Sequence, residues 1–346
     1  MKDEKLIIGL PAGSLADTSR GGNLIRLLHD AGFTSSGYER GGPSTFPVNA
    51  FLMGWDGRPQ EFGAQLALGE VDIAIAGDDW IRERTLELRY EYGTEALLQR
   101  VLPLGRGTVR IVIIKAGACD GDAWLKSLLA EKPLITIASE MPYLSVEWFL
   151  KKADELGFGK SHRAYAVQRF KTPPRIERGV LIYETWGKTE AKVKNGSVDF
   201  GVEITQTGSA IHNYGLAVVD EIMASEAAVW ANPAIRENAA KHDLARMFLL
   251  NLYGAMYAEN KVLLLFNTRK ECVPGLLEYL EANRLFADEP TMSEGLHFTE
   301  FSVEMASDNP DLPLAQVRYE LATMGATHIE TIPLESSIPG LDVIDF

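Results

Sequence analysis

The stretch Val198-Asp-Phe-Gly-Val-Glu-Ile-Thr-Gln-Thr-Gly-Ser-Ala-Ile211 passes from a strand pattern into a turn and then into the start of a helix. Its first half is rich in apolar side chains, which predicts a buried strand. The turn that follows begins at Thr205 and ends at Ser209, where Ser and Gly residues favour the start of a helix. A buried strand that leads directly into a helix is the repeating unit of an α/β protein.

The same alternation of short apolar runs and helical patterns continues on both sides of this stretch and predicts the α/β class for most of the chain. Further buried strands are predicted over 5–10, 71–76, 111–114 and 134–138. Two successive β-α-β cycles followed by a returning segment predict two lobes with a cleft between them, as in periplasmic binding proteins. Ligands of such open sheets bind at the carboxyl ends of the strands, where the turns gather.

We assign 1–107 and 216–232 to lobe I and 108–215 to lobe II, and we place the candidate ligand-binding loop in lobe II. The remaining segment, 233–346, begins with a long helical pattern and continues in a strand-helix-strand-helix-strand order with short connections. That order is typical of a ferredoxin-like (α+β) domain. Domains of this kind often regulate an enzyme or mediate its oligomerisation.

Composition excludes several classes of protein. The 346 residues carry a net charge of −14 and the pI is near 5.0, which argues against nucleic acid or an anionic membrane as a general partner. Cys119 and Cys272 are far apart, so no disulfide framework is expected, and the six histidines lack zinc-site spacing. No metal-binding side chains are predicted directly. The apolar run before Pro11 is too short for a secretion signal, so we expect a cytoplasmic protein.

The turn after the predicted strand 198–204 is the strongest candidate site. Free amides at a helix start can bind a phosphate, hydroxyl groups add donors, and Gly208 allows a close approach of the backbone. Glu203 is placed to accept hydrogen bonds from sugar hydroxyls. Together these groups suit a ribose phosphate, although a simple Ser/Thr cap of the helix is the commoner explanation of such spacing.

A second candidate is Gly187-Lys-Thr-Glu190, at the start of another predicted helix. Lys188 could face a phosphate, and Glu190 could bind a base or a cation. A capping box explains Thr189 and Glu190 equally well. Positive charge near the cleft could come from arginines, each of which could also be a solvated surface residue: Arg58, Arg82, Arg106 and Arg110.

Taken in order, these turns resemble the long form of ATP phosphoribosyltransferase, the first enzyme of histidine biosynthesis. The resemblance covers essentially the whole chain. The segments that carry it, each followed by the family pattern, are Leu10–Leu15 (P-K-G-R-L), Leu68–Trp80 (G-x-x-D-x-G-I-x-G-x-D-W), Leu104–Arg110 (L-G-x-G-x-C-R), Ile137–Pro142 (I-A-T-E-Y-P), Gly187–Glu190 (G-S-x-E), Val198–Leu216 (D-L-x-x-T-G-x-T-L-x-x-N-G-L) and Ala322–Glu335 (A-G-A…P-I-E).

The resemblance implies an Mg²⁺-dependent transfer in which N1 of ATP attacks C1 of 5-phosphoribosyl diphosphate and diphosphate leaves. It implies catalytic roles for Glu203 and Glu190. The residues implied to bind phosphoribosyl diphosphate are Thr205, Thr207, Gly208, Ser209, Ala210 and Lys188, and those implied to bind ATP are Gly13, Ser14, Asp79, Arg110 and Glu140. It also implies a C-terminal domain that binds histidine as an inhibitor and a homo-oligomer, a dimer or a hexamer built from dimers.

The sequence departs from the family pattern at the substrate mouth. Ala12 and Ser14 replace a Lys and an Arg, and Glu203 and Ala210 replace an Asp and a Thr. A charge-assisted hydrogen bond to phosphate contributes roughly 1.5–3 kcal/mol, so two uncompensated losses would be costly. A catalytically degenerate relative that binds a small ligand or regulates a partner is therefore an alternative. A solute-binding protein is disfavoured because we find no export signal.

Overall fold

The computed structural model describes residues 5–13, 15–16, 23–38, 44–48, 51–117, 121–169 and 171–346, and for 52–57 it describes the backbone alone. Ser14, one of the predicted ATP-binding residues, lies outside the described residues. The chain is a mixed α/β protein, as predicted. It divides into two compact units, one of Met1–Ile25, Ser35–Ala245 and Phe346 and the other of Arg26–Thr34 and Arg246–Asp345.

Strands and helices alternate through most of the described sequence, and the elements are introduced here in chain order. They are β1 (Leu6–Pro11), α1 (Leu24–Asp30), β2 (Phe51–Gly57), α2 (Pro59–Ala67), β3 (Ile73–Gly77), α3 (Asp78–Tyr92), β4 (Gln99–Pro103), β5 (Val109–Ala116), α4 (Ala123–Glu131), β6 (Leu134–Ser139), α5 (Pro142–Glu155), β7 (Tyr165–Arg169), β8 (Gly179–Glu184), α6 (Thr189–Lys194), β9 (Phe200–Thr205), α7 (Ser209–Asn213), β10 (Leu216–Ser225), β11 (Ala227–Ala231), α8 (Ala239–Tyr257), β12 (Lys261–Arg269), α9 (Val273–Asn283), β13 (Thr291–Glu294), β14 (Phe298–Ala306), α10 (Leu314–Thr323) and β15 (Thr327–Pro333).

The first unit contains two sheets. The first sheet has the order β2-β1-β3-β11-β4, with β1, β2 and β3 parallel and β11 antiparallel to its neighbours. The second has the order β10-β5-β9-β6-β8-β7, in which β9, β6, β8 and β7 are parallel. Because parallel strands point the same way, the segments that follow β6, β8 and β9 meet at one edge of the second sheet.

The returning segment divides between the two sheets. We assigned 216–232 as a whole to lobe I, but β10 pairs with β5 in the second sheet, and β11 alone joins the first sheet. The two strands are separated by a single residue, and both pair antiparallel to a neighbour. Which sheet each one joins is therefore decided by tertiary pairing and is not marked in the local sequence.

Helix α3 connects the two sheets of the first unit. It follows β3 of the first sheet, yet Trp80 and Leu86 pack in the hydrophobic core of the second sheet. Glu83 is fully buried, and its carboxylate accepts hydrogen bonds from the amides of Tyr143 (3.0 Å) and Leu144 (2.8 Å) in the first turn of α5. The two sheets therefore share part of one hydrophobic core, and this shared packing fixes the two sides of the cleft between them.

The second unit has a β-α-β-β-α-β order and an antiparallel sheet, β13-β14-β12-β15. Its core includes Phe266 and Phe301, whose rings stack with centroids 5.1 Å apart. The predicted strands and helices of this segment are all present, and β13 is an additional strand. Among the described residues, no helix combines the length and the apolar character that a membrane span requires.

Candidate active site

The turn between β9 and α7 lies at the carboxyl edge of the second sheet, and its middle is exposed. Gly208 adopts a positive φ of 74°, and its amide donates to Thr205 Oγ1 (2.8 Å). The hydroxyls of Thr207 and Ser209 lie 2.8 Å apart at the surface. Ala210 is exposed beside them. An anion can therefore reach two hydroxyl groups and the backbone of a tightly turned segment.

Both ends of this turn are anchored. β9 pairs with β5 and β6, so the residues before the turn are held in a sheet. After the turn, Ile211 is buried against Val112 and Val193, which seats the short helix α7. The exposed middle is thus held between two packed ends, and little ordering entropy remains to be lost when a ligand binds.

Glu203 faces helix α6. Glu203 pairs in register with Val112 of β5. Gly201 is the next residue on the same face of β9, and it lies so close to α6 that a Cβ atom there would come within 2.8 Å of both Thr189 and Val193. Burial raises the pKa of Glu203 to about 7, and the negative charge of Glu190 adds to this rise. Glu140 contributes a smaller effect of the same sign. Three carboxyl groups therefore lie near one another at this edge.

The turn between β8 and α6 forms the neighbouring part of the site. The amide of Gly187 donates to a carboxylate oxygen of Glu140, which ties this turn to the end of β6. Lys188 is exposed and has a φ of 59°. Trp186 is 53% exposed. The structure therefore brings Lys188, Glu190 and Glu140 to the same sheet edge as the β9–α7 turn.

The other predicted ATP-binding residues lie elsewhere around the cleft. Gly13 follows β1 and has a φ of 88°. Asp79 is only 4% exposed, and its Oδ1 accepts hydrogen bonds from Ser225 Oγ (2.9 Å) and the amide of Trp80 (2.9 Å). Burial raises the pKa of Asp79. Arg110 lies beside Thr205 in the sheet, but its guanidinium is 3.5 Å from the carboxylate of Glu221. Asp79 and Arg110 thus have protein partners, and their contact with ATP stays a prediction.

Three adjoining cavities form the cleft of the first unit. A cavity of about 330 Å³ is lined by Asp79, Trp80, Arg106 and Gln206, among others. A second of about 660 Å³ shares Trp80 and adds Ala12, Gly13, Arg58 and Trp186. A third of about 440 Å³ shares Arg58 and Trp186 and adds Tyr143 and Arg169. Volumes of this size match those of small-molecule sites.

Trp80 and Trp186 were missed as candidate site residues. The sequence holds only a weak signal for them, since each tryptophan lies at a strand-to-helix turn of the predicted sheet. Arg58 was noted for its charge alone, and its place beside Ala12 and Gly13 follows from the packing of α2 against the first sheet.

The described residues contain no group of three or more His, Cys, Asp or Glu side chains arranged to hold a metal ion. Mg²⁺ is commonly held by one or two carboxylates together with substrate phosphates and water. Glu190 and Glu203 fit that kind of contact, because a nearby cation would offset the effects of burial and of repulsion by Glu190, which together raise the pKa of Glu203.

Comparison with known proteins agrees with the resemblance. The family model described as HisG, ATP phosphoribosyltransferase matches residues 58–252. The chain is 27% identical over 343 residues to an ATP phosphoribosyltransferase of Geotalea uraniireducens, covering 96% of this chain and 99% of the relative. It is 27% identical, with the same coverage, to ATP phosphoribosyltransferase 1 of Geobacter sulfurreducens.

Among solved structures, the ATP phosphoribosyl transferase (HisG:HisZ) complex from Thermotoga maritima matches with a TM-score of 0.49 and 18% identity, over 72% of this chain and 96% of that one. The family model spans more than half of the chain and the relatives match nearly all of it. The protein therefore belongs to the ATP phosphoribosyltransferase family and is an enzyme of the pentosyl-transferring class.

Proposed function

We propose that the protein transfers the phosphoribosyl group of 5-phosphoribosyl diphosphate to N1 of ATP, with Mg²⁺, as the first step of histidine biosynthesis. The observation that carries this proposal is the exposed turn after β9, with hydroxyls on Thr207 and Ser209 and the carboxyl group of Glu203 just before it. The same segment lines the cleft through Ile204 and Gln206. A sugar phosphate held there has room beside it for a second substrate.

The turn would bind the 5-phosphate, and Glu203 would accept hydrogen bonds from the ribose hydroxyls. In the reaction the bond from C1 to the diphosphate oxygen breaks and the bond from N1 to C1 forms. Positive charge develops on the ribose, which the carboxylates of Glu203 and Glu190 stabilise. No proton transfer is needed at that step, so positioning and electrostatics supply the catalysis.

Mg²⁺, when bound, would neutralise the charge of the leaving diphosphate. Glu190 and Glu203 would hold it, with the diphosphate supplying the other ligands. Two cations near this edge already have protein partners: Lys171 Nζ donates to the carbonyl of Ser197 (3.0 Å), and the guanidinium of Arg169 lies 3.5 Å from the carboxylate of Glu184. Arg58, which lines one cavity with Ala12 and Gly13, is the better replacement for the cations absent from the opening turn.

For the rest of the chain we propose the architecture that the resemblance implies. The two sheets of the first unit would form a periplasmic-binding-protein-like catalytic region. The second unit would be a ferredoxin-like domain, and its strand order β15-β12-β14-β13 supports this. We propose that this domain binds histidine as an inhibitor and helps to build a homo-oligomer, and that the enzyme acts in the cytoplasm, where its nucleotide substrates are made.

The test is a transfer assay with purified protein, Mg²⁺, ATP and 5-phosphoribosyl diphosphate, which follows the ultraviolet absorbance of N1-substituted adenine and the release of diphosphate. The double variant Thr207→Val, Ser209→Ala removes two exposed hydroxyls and should fold normally. We expect transfer by the wild type and at least tenfold less by the variant, because two phosphate contacts are lost. Equal rates, or no transfer by the wild type, would contradict the proposal.

A relative that binds the substrates without transfer is the second candidate. The observation in its favour is Ala12, which lines the cleft without offering a charge. In that case phosphoribosyl diphosphate would bind to the wild type with no turnover. The variant Ala12→Lys, Ser14→Arg would then gain activity, whereas an active wild type would exclude this candidate.

A further inference from the structure

Trp186 is unusually exposed for its type. Tryptophan side chains are mostly buried in folded proteins. Trp80 and Trp148 are each 8% exposed, whereas Trp186 is 53% exposed, and it is the most exposed tryptophan among those whose side chains the structure describes. A large aromatic surface left open inside a concave site is typical of a ligand contact.

The backbone on both sides of Trp186 is held in place. Thr185 before it is buried, and its amide donates to the carbonyl of Ser139 (2.9 Å). Gly187 after it donates to Glu140 and has a positive φ of 75°. Thr189 is fully buried at the start of α6. The indole is therefore presented by a fixed turn, which reduces the entropy cost of binding against it.

Trp186 lines three cavities, and their charges differ. On the α6 side, a cavity of about 230 Å³ contains Lys171 and Lys192. Both ammonium groups already donate to backbone carbonyls, Lys171 to Ser197 (3.0 Å) and Lys192 to Gly187 (2.9 Å). This cavity is small, and both of its ammonium groups already have hydrogen-bond partners in the protein.

On the other side, Trp186 shares the cavities of about 660 and 440 Å³ with Arg58. Arg58 is exposed, and no hydrogen bond or ion pair of its guanidinium is found within the described part of the chain. A flat apolar ring beside an available guanidinium suits a ligand that joins a planar base to phosphate groups. Four glutamates also line the smaller cavity, which disfavours a bare polyanion there: Glu61, Glu70, Glu87 and Glu184.

We propose that Trp186 is the platform on which the purine ring of the acceptor nucleotide stacks. This inference rests on the proposed function, since it assigns the acceptor to the Trp186 side of the cleft, next to the β9–α7 turn where the phosphoribosyl group is proposed to bind. The base lies against Trp186 in the cavities that it shares with Arg58, and the phosphates lie on the Arg58 side of those cavities. Trp186 acts by binding and positioning and takes no part in bond making.

The first test is binding of ATP alone, without phosphoribosyl diphosphate. ATP should quench the part of the tryptophan fluorescence that is lost in Trp186→Phe, and calorimetry should show the affinity falling about tenfold or more in Trp186→Leu, since one base stack is lost. Trp186→Phe keeps an aromatic face and should bind within a few-fold of wild type. Tyr319→Leu, which removes an exposed aromatic of the second unit, should bind as wild type does.

The second test is steady-state kinetics. Trp186→Leu should raise the KM for ATP about tenfold or more while the KM for phosphoribosyl diphosphate stays within twofold. The proposal is overturned if Trp186→Leu binds ATP as tightly as wild type, or if both KM values rise together, which would indicate a merely structural role. Transfer by the wild type together with unchanged ATP binding by Trp186→Leu would contradict this inference and leave the proposed function intact. ATP binding that depends on Trp186, without any transfer by the wild type, would contradict the proposed function and leave this inference intact.

Discussion

Glu83 offers a sharp test of how the two sheets of the first unit are joined. Its buried carboxylate accepts hydrogen bonds from two amides at the start of α5, and burial raises its pKa to about 8. The neighbouring Glu87 adds to that rise, whereas the two amides and Arg84 oppose it. A carboxyl group whose pKa is higher in the folded state favours folding while it is protonated. Its contribution is complete below about pH 4.5 and is lost as the pH rises through about 8.

The rise from 4.5 to about 8 corresponds to a free energy of about 5 kcal/mol across that pH window. Glu83→Gln removes the titration but places an amide donor against a backbone N–H, which costs about 1–3 kcal/mol at every pH. We therefore expect the variant to be less stable than the wild type near pH 5. As the pH rises towards about 8, only the wild type loses this contribution of about 5 kcal/mol, which exceeds the cost of the substitution, so the difference should vanish and then reverse in sign.

Urea unfolding followed by tryptophan fluorescence measures this effect. All six tryptophans lie between residues 55 and 230, so the signal reports on the first unit. Glu147→Gln is the matched control, because it breaks a surface ion pair with Arg82 (2.7 Å) and should change the free energy of unfolding by less than about 1 kcal/mol without altering its pH slope. Equal pH slopes for wild type and Glu83→Gln would refute the reasoning. Glu203 titrates in the same direction in both proteins and does not affect their difference.

Three further predictions concern the site. Because the pKa of Glu203 is about 7 and its ionised form accepts hydrogen bonds from the ribose, kcat/KM should rise roughly tenfold between about pH 6 and about pH 8. Glu203→Gln should flatten this pH profile, and a profile unchanged by the substitution would contradict the proposed role. Gly201→Ala should cost about 1–3 kcal/mol because its Cβ meets two side chains of α6 at 2.8 Å, and an unchanged Tm in a thermal scan would argue against that packing. Arg58→Ala should weaken ATP binding by about tenfold in calorimetry, whereas an unaltered affinity would remove Arg58 from the anion site.

The place of the proposed site in the fold was predictable because most of its residues are adjacent in the chain. Glu203 and the turn ending at Ala210 follow one buried strand, and the switch from strand pattern to Gly, Ser and Thr residues marks the turn locally. Lys188 and Glu190 belong to a second turn of the same kind. That the segments after β6, β8 and β9 share one edge follows from parallel strand order, which the alternation of strands and helices already indicated.

Helix α3 was not predicted because its sequence, Asp-Asp-Trp-Ile-Arg-Glu-Arg-Thr-Leu-Glu-Leu-Arg-Tyr-Glu-Tyr, is dominated by charged residues. Such a pattern normally indicates a solvated surface. Glu83 is buried all the same, because the amides at the start of α5 supply its hydrogen bonds, and α5 lies some 60 residues further along the chain. A buried carboxyl group whose hydrogen-bond partners lie far away in the chain leaves no local signal.

The sequence by itself determined most of the element types, the position of the exposed turn after β9 and the family, since each depends on residues close together in the chain. The tertiary structure alone decided that β10 and β11 join different sheets, that α3 packs into the core of the second sheet, and that Trp186 and Arg58 face the same cavities. These features depend on contacts between segments far apart in the chain. Their free energy comes from pairing and burial that no local pattern encodes.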